Sequence, residues 1–107
     1  MSFDFESIFK EMVGAAKAEL LADSETIRKQ MQKILEDEKQ RLKLIAEIKL
    51  DPTASDAEFD LALKNEKIVL ENAALALDIQ VKSTAQQAVN AALTVLNSAL
   101  KAAVQAV

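Results

Sequence analysis

The sequence predicts an all-α protein: a long antiparallel hairpin of two helices, about 4–50 and 56–105, joined by a turn at 51–55. Three observations predict it. Pro52 is the only proline and lies near the midpoint, where a missing backbone donor and a steric clash must end a helix. Gly14 is the only other helix breaker, while Ala, Leu, Glu, Lys and Gln, all strong helix formers, dominate. Large apolar residues recur at steps of three and four, the period of one helix face.

In the first helix the apolar series runs Phe5, Phe9, Met12, Val13, Leu20, Ile27, Met31, Ile34, Leu42, Ile45 and Ile48. Unbroken, such a helix would be about 70 Å long at 1.5 Å per residue. Asp23 or Ser24 could cap a new helix, but neither has a Gly or Pro beside it, so continuity with at most a bend is expected. The runner-up is a break near Asp23 and a compact three-helix monomer. At the turn, Pro52 stops one helix and Ser55, followed by Glu58, forms a capping-box start for the next.

The second helix carries two apolar stripes. One holds Leu61, Ile68, Leu75, Ile79, Val89, Leu93, Leu96, Leu100 and Val107, regular enough beyond Val89 to resemble a coiled-coil seam. The other holds Phe59, Leu63, Leu70, Ala74, Leu77, Val81, Ala85, Ala88, Ala92, Val95, Ala99 and Ala102. Side by side they cover about half of the helix surface. A lone hairpin would leave one stripe in water, more apolar surface than a soluble monomer exposes. A second copy is the simplest cover, giving a dimeric four-helix bundle. Phe9, Met31, Phe59, Leu75, Leu93, Leu96 and Leu100 are the expected core or oligomer seam, and Pro52, Ser55 and Glu58 the turn. Basic residues concentrate between Arg28 and Lys49 and acids between Asp51 and Asp78, which favours antiparallel pairing about Pro52. Gly14 suits either a close backbone approach to the Ala-rich C-terminal half or a tolerated surface position.

Composition argues against catalysis. His and Cys are missing, so the usual bases, nucleophiles and soft metal ligands are too, and no catalytic, cofactor-binding or metal-ligating residue is assigned. The acidic run Glu36, Asp37 and Glu38 reads as a solvated face, because consecutive helical residues point apart. A net charge of −4 gives no general attraction to nucleic acid or anionic membrane. Acids interrupt the best basic candidates, Arg28, Lys29, Lys33, Lys39, Arg41 and Lys43. The start lacks signal-peptide features and no run is apolar enough to span a bilayer. The cytoplasm is the expected location, and leaderless export would leave no mark in this composition.

The single domain, 1–107, is therefore expected to be a non-enzymatic structural or protein–protein interaction protein, working as a helical homo-oligomer with a dimer favoured. A different protein partner is the next candidate. The alternative function is an amphipathic binding module for a lipid or polymer surface or for a secretion-type partner. In length and outline alone the hairpin resembles the small exported helical hairpins of type VII secretion. Its turn, Leu50-Asp51-Pro52-Thr53-Ala54-Ser55, lacks their Trp-x-Gly, so no functional residue carries over.

Overall fold

The computed structural model describes residues 3–105. Among them are five helices: α1 Phe5–Ala18, α2 Glu25–Asp37, α3 Lys39–Leu50, α4 Asp56–Leu75 and α5 Lys82–Gln105. The all-helical class holds. The two unbroken helices do not, because the chain also turns at 19–24 and 76–81 and is interrupted at Glu38.

Asp4 caps α1, its carboxylate accepting from Ser7 N–H at 3.3 Å and from Ser7 Oγ at 2.7 Å. The first extra turn forms without glycine because a basic side chain satisfies its carbonyls. Arg28 Nη1 donates to Leu20 O at 3.3 Å and to Asp23 O at 2.6 Å. Leu20 is fully buried in the bend, and Ser24 starts α2 by accepting from Ile27 N–H at 3.3 Å. The break near Asp23 held as the runner-up is thus the observed one.

Between α2 and α3 the path barely departs from a helix. Glu38 has φ −100° and ψ 7°, its N–H is shared between Ile34 O and Leu35 O, and its own carbonyl accepts from Leu42 N–H at 3.0 Å. The Pro52 turn is as expected. Asp51 Oδ1 accepts from Thr53 N–H at 2.8 Å and Oγ1 at 2.7 Å, and Ser55 Oγ accepts from Glu58 N–H at 3.1 Å. Glu58 itself faces solvent.

The turn at 76–81 divides both stripes of the expected second helix. Lys82 Nζ donates to Leu75 O at 3.0 Å and Leu77 O at 2.9 Å, taking the last carbonyl of α4 and one in the turn. Ile79 is buried, and Gln80 N–H donates to the buried Asp23 carboxylate at 3.1 Å. The two extra turns therefore hold each other.

These turns lay α1 on α5 and set α5 against α4 and α3. The longest dimension is 42 Å and the radius of gyration 13.9 Å, which is a compact bundle rather than a rod of about 70 Å. Ala85, Ala88 and Ala92 are fully buried on α5, where small side chains let neighbours approach; Met12, Leu35, Leu42, Leu70, Val89, Leu96 and Leu100 fill the space between. The second stripe is thus covered largely by the chain itself. The need for another copy to hide it, argued from two unbroken helices, falls away. Gly14 is exposed, and a Cβ there would meet nothing within 4 Å, so it permits no close approach. Val107, the last member of the first stripe, lies outside the described residues.

Candidate functional site

The seam residues expected from sequence lie in the core of a single chain. Phe9, Met31, Phe59, Leu93, Leu96 and Leu100 are buried in one cluster, and Leu75 packs partly buried against it. Leu61 and Ile68, placed on the same stripe, instead face outward with Leu61 61% and Ile68 49% exposed. Pro52, Ser55 and Glu58 occupy the turn on the surface.

The pattern left over is more informative than the core. The α3–α4 hairpin keeps an apolar outer face made of Leu44, Leu61, Ile68 and Val69. A shallow groove of about 280 Å³ runs between the two helices, lined by Arg41, Leu44, Ile45, Ile48, Ala62, Asn65, Glu66 and Val69. On α4, Leu61, Asn65, Ile68 and Val69 are helical neighbours, so the groove wall and outer face join into one surface. Charge divides sharply across it. On α3, Lys39, Arg41, Lys43 and Lys49 stand against Glu47; on α4, Asp56, Glu58, Asp60, Glu66 and Glu71 stand against Lys64 and Lys67. Near the turn the two signs meet within the hairpin, Lys49 Nζ lying 3.4 Å from Asp56 Oδ1 and 5.0 Å above the Phe59 ring.

Beneath this face lies a carboxyl pair that the sequence reading missed. Glu66 is 3% exposed and neither of its carboxyl oxygens has a hydrogen-bond donor; Oε1 of Glu38 is also buried without one. Burial, then Glu38 as an acceptor for the protonated form, then the charge of Glu38 push the Glu66 carboxyl up to about 8, against a smaller opposing pull from Arg41. Arg41 Nε lies 3.7 Å from Glu38 Oε1. Glu38 is thus no part of a wholly solvated acidic run, although Glu36 and Asp37 are exposed as expected. A signal existed: Phe59, Leu63, Glu66, Leu70 and Ala74 follow core spacing, and an acid on a core stripe needs a partner or a proton.

A second groove, between α4 and α5, is lined largely by Asp60, Lys64, Lys67, Asn90, Thr94 and Asn97. Among the described residues no three His, Cys, Asp or Glu side chains gather where a metal could be held, and no helix is long and apolar enough to cross a membrane. The apolar face of α5 is covered by α1 and α4, so a lipid or polymer surface would meet it only with the bundle opened. Comparison with family models, curated proteins and solved structures finds no match.

Proposed function

We propose that this protein is a non-enzymatic interaction module that self-associates through the outer face of its α3–α4 hairpin. The observation carrying this reading is the joined apolar surface of Leu44, Leu61, Ile68 and Val69, which gathers half of the large apolar side chains exposed among the described residues; Leu21, Leu50, Val81 and Val104 lie outside this patch. The occupant it fits is a second copy. A two-fold axis beside the groove sets basic α3 on acidic α4 of the partner and the reverse, so one contact satisfies both sides. Two such hairpins, face to face, form a four-helix bundle at the centre of the dimer.

Sedimentation velocity tests this on the whole chain. The wild type is expected to sediment as a dimer at tens of micromolar. Leu44→Glu and Ile68→Glu, both at exposed positions, are expected to give monomers with unchanged helical circular dichroism. A wild type that stays monomeric throughout that range contradicts the proposal, as does a dimer that both variants leave intact.

A further inference from the structure

The α3–α4 seam has a charged group where a bundle should be dry. Glu66 rises from α4 among Phe59, Leu70 and Ala74, all buried, and meets Glu38 at the single residue that interrupts α2 and α3. Arg41 lies 3.7 Å from Glu38 and lines one groove with Glu66, which brings the two carboxyls into one neighbourhood; two carboxylates offer only acceptors, and Glu38 Oε1 and both Glu66 oxygens are buried without a donor. A proton held between them supplies the missing donor and removes the repulsion of like charges. We propose that Glu66 keeps its proton and donates it to Glu38, and that this proton latches the α2–α3 joint to α4, so that its loss loosens the seam beneath the exposed hairpin face.

The neighbours leave the pair little other compensation. From α3, Arg41 reaches Glu38 at 3.7 Å but is itself exposed. On α4, Lys67 pairs with Glu71 at 3.8 Å. On α2, Lys33 pairs with Asp37 at 3.8 Å, and Arg28 is engaged with the Leu20 and Asp23 carbonyls. On α5, Lys82 is bound to the Leu75 and Leu77 carbonyls, and Lys101 is exposed. A cation cluster that would hold both carboxylates ionised is therefore missing among the described residues. The sign follows from the direction of the shift. The folded chain keeps on Glu66 a proton that the unfolded chain releases near the ordinary value of 4.5. The stabilisation is full below that value and falls as pH rises to about 8, where the folded state releases it too.

Carbon-detected NMR titration of the wild-type carboxyl groups is the direct test, joined to urea unfolding and amide exchange at several pH values. One glutamate carboxyl is expected to titrate far above the others, near pH 8. Stability should decline from about pH 4.5 to about 8, and amides from Leu42 to Ile48 should lose protection, corrected for intrinsic rate, as that group ionises. Glu66→Gln, which keeps a donor without the charge, should flatten the decline and raise the melting temperature at pH 8 by about 4 °C or more. The proposal is overturned if every glutamate titrates below about pH 5.5. It is equally overturned if seam protection ignores the high titration, or if Glu66→Gln retains the wild-type pH profile.

Discussion

Glu66 shows how a single position can be written in a sequence and still be passed over. Its spacing from Phe59, Leu63, Leu70 and Ala74 assigns it to the core, but counting it among the acids of the second half hides that. Its neighbour Glu38 is harder to find, since only the fold brings α4 to the α2–α3 joint. At pH 8, Glu66→Gln is expected to stabilise the protein by several kcal/mol, about 1.4 kcal/mol for each unit by which the carboxyl is raised, and to change little near pH 4.5. Urea unfolding at the two pH values checks this. Asp23 is the opposite case, a buried carboxylate with a defined task, since it accepts from Gln80 N–H 57 residues away. Asp23→Ala is expected to cost about 1.5–3 kcal/mol at neutral pH, the range for hydrogen bonds to charged groups, with Asp23→Asn costing less because its amide oxygen still accepts.

At the scale of elements, legibility followed the chemistry of the chain breaks. The Pro52–Ser55 turn uses local signals, a fixed proline φ and a side-chain cap, and both act within four residues. It was readable for that reason. The turns at 19–24 and 76–81 use no glycine and no proline. Basic side chains, Arg28 and Lys82, bind carbonyls in the turns and the last carbonyl of α4, and each turn depends on the other through Asp23 and Gln80. Helical periodicity continues across both, so pattern alone extended the helices through them. Ser55→Ala should cost about 1 kcal/mol, as the loss of a helix cap does. Arg28→Ala should cost a comparable amount and, unlike Ser55→Ala, should raise amide exchange at both extra turns together. Hydrogen exchange with residue resolution separates the two effects.

For the whole molecule, the two added reversals change what the apolar surface means. Read as unbroken rods, the second half carries more apolar circumference than one hairpin can hide. Folded into five helices, α5 becomes a central element against α1, α3 and α4, and its alanine stripe is largely spent on packing. Leu93, expected at an oligomer seam, lies in the core of one chain, so Leu93→Asp is expected to unfold the monomer rather than merely separate copies. Leu96→Ala should cost about 2–5 kcal/mol, as truncation at a fully buried leucine does. Of the large apolar side chains left exposed, Leu44, Leu61, Ile68 and Val69 gather on the α3–α4 hairpin face, and that is where association is proposed.

The bundle exists because the chain turns back on itself at 19–24 and 76–81. Backbone NMR chemical shifts read this directly, whatever the oligomeric state. Helical shifts interrupted in both segments, with the Gln80 amide shifting when Asp23 is replaced by Ala, are the predicted result. Unbroken helical shifts from Phe5 to Leu50 and from Asp56 to Gln105 would contradict it.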